Sequence, residues 1–145
     1  MSIESHYDIG FVAALALREK QIQQNYRPII AVHKWFARRP GTLFRGLALA
    51  EFGDRRVSES YYQAHSFPGK QVADPFMGGG TPLIEANRLG CDVVGLDINP
   101  MAAWVVHEEI DSLDLHAYGQ AAAQLVTALS TDIGNLYKTR CPVTG

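Results

Sequence analysis

The chain has no long apolar run. None of its stretches reaches the roughly 20 residues that a membrane helix needs. The short apolar segment at residues 11–17 lacks the basic start and cleavage pattern of a secretory leader. Cysteine is scarce: Cys91 and Cys141 are the two in 145 residues, too few for a disulfide-framed secreted domain. Cys91 opens an apolar stretch and is expected as a free thiol in a core. A large charge of one sign is also lacking. Lys and Arg number 13 against 15 Asp and Glu, for a net charge of −2, so bulk electrostatics gives no case for nucleic acid. These absences lead to the expectation of a cytoplasmic protein with no membrane partner. The charge that is present is uneven. His33, Lys34, Arg38, Arg39 and Arg45 gather in one region, and Glu108, Glu109, Asp111 and Asp114 in another. The length suits one domain or part of one.

What is present is organised around Asp74-Pro75-Phe76-Met77-Gly78-Gly79-Gly80-Thr81. Residues 71–73 before it read as a strand. Residues 82–89 after it read as a helix, with Leu83, Ile84, Ala86 and Leu89 at helical spacing and Gly90 as a stop. Cys91 to Asp97 forms a second short strand ending in an acid. The pattern is a βαβ unit with a glycine turn after one strand and a carboxylate after the next. Glycines there open backbone dihedrals closed to other residues and clear side chains from the path of a ligand. The helix start beyond attracts electron-rich groups. Asp97 is placed to accept hydrogen bonds from both hydroxyls of a ribose. The unit reads as a nucleoside-cofactor site.

The cofactor is narrowed by two mismatches. The dinucleotide fingerprint Gly-x-Gly-x-x-Gly fails because position 83 is Leu. A Walker loop fails because no lysine precedes Thr81. A ligand carrying adenosine and a carboxylate fits better, and S-adenosylmethionine is one; Asp74 suits its cationic region.

The stretch Asp74 to Thr81 resembles the Asp-Pro-Phe-x-Gly-x-Gly-Thr motif of amino-group DNA methyltransferases. Val94-Gly95-Leu96-Asp97-Ile98-Asn99-Pro100 resembles the Gly-x-Asp-x-Asn-Pro segment that follows it in that family. His33-Lys34-Trp35-Phe36-Ala37-Arg38-Arg39-Pro40 is similar to the version found in the adenine-specific methylases that carry a zinc ribbon. The resemblance implies a partial Rossmann-like S-adenosylmethionine-dependent fold of the α/β class, three-layer, with a mostly parallel sheet. It implies cofactor contacts from Asp74, Pro75, Phe76, Gly78, Gly80, Thr81, Asp97, Ile98, Asn99 and Pro40. It makes His33, Lys34, Trp35, Arg38 and Arg39 candidates for DNA or cofactor-covering contacts. The implied reaction moves a methyl group to an exocyclic amine, adenine N6 before cytosine N4.

Taken in order, the chain divides into a helical, cofactor-covering segment (1–53), a variable loop (54–70) and the front of a methyltransferase domain (71–145). Helices are expected near residues 12–24, 42–52, 81–89, 100–109 and 115–137, and strands near 71–75 and 92–97. Thr42 is a candidate N-cap. The family grips its target amine with a loop containing a Pro-Pro pair, and this chain has none. No catalytic residue is therefore assigned. The chain is expected to be a fragment, a truncation or one subunit of a split enzyme, inactive alone. Its partners would be a missing C-terminal part or a complementary subunit, and double-stranded DNA when complete. Cys141 without a second cysteine leaves metal binding unassigned. The alternatives are a non-enzymatic DNA-binding or assembly module, or an RNA or small-molecule methyltransferase fragment.

Overall fold

The computed structural model describes residues 3–22 and 26–139. They fall into two units with a boundary after Ile110. Cys141 lies outside the described residues.

The first unit starts with α1 (Ile3–His6) and α2 (Ile9–Gln21). Asp8 caps α2 by accepting from the Phe11 amide at 3.0 Å, and strong helix formers carry it onward. A short turn of helix, α3 (Pro28–Ala31), leads toward α4 (Gly41–Phe52). α4 has no side-chain cap of its own at its N-terminus. The expected cap, Thr42, is instead a donor. Glu19, at the far end of α2, accepts from the Gly41 amide (2.9 Å), the Thr42 amide (3.0 Å) and the Thr42 hydroxyl (2.8 Å). One carboxylate from another helix thus satisfies amides that a helix start leaves open.

α5 (Val57–Ser60) follows, and then β1 (Gln71–Asp74), α6 (Thr81–Arg88), β2 (Asp92–Gly95) and α7 (Pro100–Ile110). The two strands pair in parallel, with Gln71 opposite Asp92 and Asp74 opposite Gly95. α6 is the crossover, entered through Gly80 in the left-handed region at φ 69°. The main core joins Val12, Leu49, Val57, Tyr61, Leu89 and Cys91. A smaller one joins Met77, Leu83 and Val106.

These elements correct the expected fold class. The described residues are predominantly helical and contain one sheet of two strands. They do not make a three-layer, Rossmann-like body with a mostly parallel sheet of several strands. The physical reason lies in the apolar spacing. Two short apolar runs form strands whose burial alternates, and the remaining apolar residues recur at helical spacing and are spent on helix packing. Among the described residues of the first unit, the sheet is also covered on one side only. Val72, Asp74, Val93 and Gly95 turn inward, where Val93 packs against the Leu83 cluster of α6. Gln71, Ala73, Asp92 and Val94 are exposed on the other face.

The second unit contains α8 (Leu115–Ile133) and a 3-10 turn (Gly134–Tyr137). Asp114 caps α8, accepting from the His116 and Ala117 amides. Leu115, Tyr118, Ala122, Leu125, Val126 and Leu129 stand at helical spacing, but the helix has no buried residue. Among the described residues no helix is long and apolar enough to cross a membrane.

Candidate functional site

The glycine loop after β1 is built by contacts within the chain. A methyl group at Gly79 would stand 2.8 Å from Trp35 Cγ, and one at Gly78 would stand 3.1 Å from Trp35 Nε1. At Gly80 it would meet Val106 Cγ2 at 2.4 Å. The glycines therefore make room for the protein's own Trp35 and Val106. Thr81 is buried at the start of α6. Pro40 ends the chain's approach to α4.

Asp97 is committed in the same way. Its Oδ2 accepts from the Gly78 amide and its Oδ1 from the Asn99 amide, both at 2.8 Å. Asn99 Oδ1 accepts from the Met101 amide at 3.0 Å and steadies the start of α7. Asp74 Oδ1 accepts from the Phe76 amide at 3.0 Å. The aromatic ring of Phe76 and the side chain of Ile98 project into solvent. The amides of Asn99 and Gly78 hold the Asp97 carboxyl below its ordinary value. A carboxylate lowered in the folded state contributes stability above its ordinary pKa, and that contribution is lost as pH falls through the lowered value. The Gly78 and Asn99 amide resonances should therefore titrate together, below the usual carboxylate range. In Asp97→Ala that titration should vanish and the Gly78 amide should exchange about 5-fold faster, the scale of one surface hydrogen bond. An unchanged exchange rate in NMR would show that Asp97 does not hold the loop.

The basic segment does not present one charged face. Arg38 Nη2 lies 2.8 Å from His33 Nε2. A guanidinium only donates, so Nε2 accepts and the imidazole proton sits on Nδ1. That nitrogen is 3.1 Å from Glu109 Oε1, though without hydrogen-bond geometry. The Glu109 side chain is 5% exposed. Burial pushes its carboxyl up, against the pull of Arg38. Burial and the nearby Arg38 charge push His33 down. Arg45 donates to the carbonyls of Tyr61 and Gln63. Lys34 lies over the Phe36 ring at 5.1 Å. Lys34 and Arg39 are the exposed cations of the group.

Two carboxylates, Glu19 and Glu85, escaped the sequence reading, and Glu109 was read only as one of an acidic cluster. Glu85 is 1% exposed and pairs with both Arg27 Nε and Arg27 Nη2. The signal was its place inside the apolar stripe Leu83-Ile84-Glu85-Ala86, where a lone acid implies a buried partner. Glu19 and Glu109 carry no comparable local signal. Among the described residues no group of three or more His, Cys, Asp or Glu could hold a metal ion.

A cavity of about 690 Å³ runs beside β1, lined by Val72, Ala73 and Asp74, by α4, and by Trp35, Arg38 and Arg39. Its other walls are the glycine loop, α6, Ala37 and Ile3 of α1.

No family model matches the chain, and no solved structure does. One curated relative shows a likeness to the DNA methyltransferases. It is the Type II methyltransferase M.MjaII of Methanocaldococcus jannaschii, 30% identical over 60 residues. The match takes in 41% of this chain and 11% of that protein, so the chain spans about a tenth of its relative's length. This weak, partial likeness points to the family and no further. It reaches neither to a zinc-ribbon type nor to an N-terminal portion.

Two expectations are corrected here. S-adenosylmethionine binding, expected from the glycine turn, Asp97 and the motif resemblance, implies a Rossmann-like architecture, and the helix-dominated fold with its two-stranded sheet does not supply one. The glycines and Asp97 expected at that cofactor lie against Trp35, Val106 and the amides of Gly78 and Asn99. The assignment of the chain as the cofactor-binding portion of an enzyme methylating adenine N6 falls with it, because it required that architecture.

Proposed function

We propose that the chain is a non-enzymatic assembly module, whose bare sheet face is covered by a complementary polypeptide. One observation carries this reading: a parallel pair of strands is covered on one face and bare on the other. Parallel sheets are otherwise buried on both faces, and two strands alone are marginal in water. Val94 and Leu96 are 43% and 61% exposed on the bare side. Kinship lies nearest the N-terminal part of the zinc-ribbon methylases, on the strength of residues 33–40, 74–81 and 94–100. Double-stranded DNA is a partner of the completed body rather than of this chain, whose Arg38 and Arg45 are occupied internally. The setting is cytoplasmic.

The test is sedimentation of the purified chain with the polypeptide encoded directly downstream of it, followed by hydrogen exchange. A one-to-one complex with a newly protected Ala73 amide, which lies outside the β1–β2 ladder, is expected. Protection of that amide in the chain alone would overturn the reading. Salt-sensitive duplex binding by the chain alone would favour a DNA-binding module instead.

A further inference from the structure

A second cavity, of about 490 Å³, opens in the first unit and shares no lining residue with the one beside β1. Three arginines line it: Arg27 before α3, Arg45 of α4 and Arg88 at the end of α6. Two carboxylates line it as well, and both are committed. Glu85 is held by Arg27 Nε and Nη2. Glu19 is held by two amides and a hydroxyl at the start of α4. Neither Arg45 nor Arg88 has a carboxylate within ion-pair distance among the described residues. The cavity wall therefore carries a surplus of cations.

Arg45 anchors that surplus. It is half-buried. Its Nε donates to the Tyr61 carbonyl at 3.2 Å and its Nη2 to the Gln63 carbonyl at 3.4 Å. Its guanidinium carbon lies 5.4 Å from the centre of the Tyr61 ring. These contacts fix the planar fork in place without neutralising it. Burial pushes the guanidinium down, and the Arg27 and Arg88 charges push the same way against the pull of Glu85. The Nη1 groups of Arg27 and Arg45 make no hydrogen bond among the described residues, and neither is buried. Two guanidiniums from different segments thus keep open donors in residues of one cavity wall. Such forks match the oxygens of a phosphate.

The remainder of the wall includes apolar groups from Leu15 and Leu89, and the ring of Tyr62. That ring stands edge-on to Tyr61 at 5.1 Å and to Phe11 at 6.4 Å, yet Tyr62 is 77% exposed. A ring fixed by its neighbours and open to solvent is a platform for a flat group.

We propose that this cavity binds a small phosphomonoester, with the phosphate held by Arg27 and Arg45, Arg88 adding charge, and a flat organic group resting on Tyr62. The site goes beyond the assembly reading and is independent of it.

The experiment titrates phenyl phosphate into the labelled full chain at about pH 7.5, above the second phosphate pKa of about 6. NMR follows the Arg27 and Arg45 Nε–H resonances and the Tyr62 amide. All three should shift together and saturate with a Kd below about 1 mM. Inorganic phosphate should move the arginine signals alone and bind about 5-fold weaker, the low end for one stacked ring. Benzoate, with a single charge, should bind at least about 5-fold weaker than phenyl phosphate. Arg45→Gln should weaken both phosphates at least about 10-fold, the scale of a charged hydrogen bond. Arg88→Gln changes an exposed position, keeps the fold, and should weaken both about 3-fold. Tyr62→Ala should erase the preference for phenyl phosphate and leave inorganic phosphate unchanged. No shift of the arginine signals up to about 10 mM phenyl phosphate overturns the proposal. So does an affinity that neither arginine variant changes, or a phenyl preference that survives Tyr62→Ala. Benzoate binding as tightly as phenyl phosphate would make this a carboxylate site and also overturn it. None of these outcomes bears on complex formation with the downstream polypeptide, so the two readings fail separately.

Discussion

Replacing Glu85 by Ala should cost the folded chain about 3 kcal/mol, the low end of the 3–5 kcal/mol expected when a buried ion pair loses one partner. The low end applies because the Arg27 side chain is 33% exposed and can rehydrate, whereas Glu85 is 1% exposed. The pair joins the segment before α3 to α6, across 58 positions of sequence. A domain of this size has only about 5–15 kcal/mol in total, so the loss is a large share of it. Urea unfolding should show a lowered midpoint with an unchanged slope. The double variant Arg27→Met, Glu85→Leu should recover part of the loss, because no charge is then left unpaired. A single-variant cost below about 1 kcal/mol, the range of surface pairs, would mean that Glu85 is solvated in solution.

Gly80→Ala should cost a similar amount, by a different route. Its φ of 69° lies in the left-handed region, and the new methyl would meet Val106 Cγ2 at 2.4 Å. Left-handed backbone costs an L-residue about 1–2 kcal/mol, and overpacking a filled site adds about 1–3 kcal/mol. Gly69 provides the control. Its φ is 73°, but a methyl there meets nothing within 4 Å. Gly69→Ala should therefore cost only the backbone part. Val106→Ala in the Gly80→Ala background should relieve the steric part. Equal midpoints for Gly69→Ala and Gly80→Ala in thermal or urea unfolding would refute the packing role assigned to Gly80.

This comparison shows what was legible in the sequence. The strands at 71–74 and 92–95 and the helix between them could be read, because short apolar runs, helical spacing and glycine punctuation are local signals. The use of the glycine loop could not. Whether Gly78, Gly79 and Gly80 clear space for a ligand or for Trp35 and Val106 depends on contacts far along the chain. The cap of α4 failed for the same reason. Thr42 has the right chemistry in the right place, yet Glu19 comes from another helix and takes the role. The fold class went astray through the resemblance: its motifs matched, and a several-stranded sheet was inferred for which the described residues hold two strands. At the site, Asp97 was singled out as an acceptor, and it is one, but its partners are backbone amides of the chain itself.

The Asp97 bonds also bear on how the two strands find their alignment. A four-residue parallel pair offers little to distinguish one pairing from its neighbour. Sliding β2 by one residue would carry Asp97 about 3.3 Å along the strand, out of reach of the Gly78 amide. It would also turn Val93 outward and Val94 inward, exchanging the buried and bare faces. The carboxylate thus acts as a register pin: the same contact that orders the loop after β1 penalises misaligned pairings of β1 with β2.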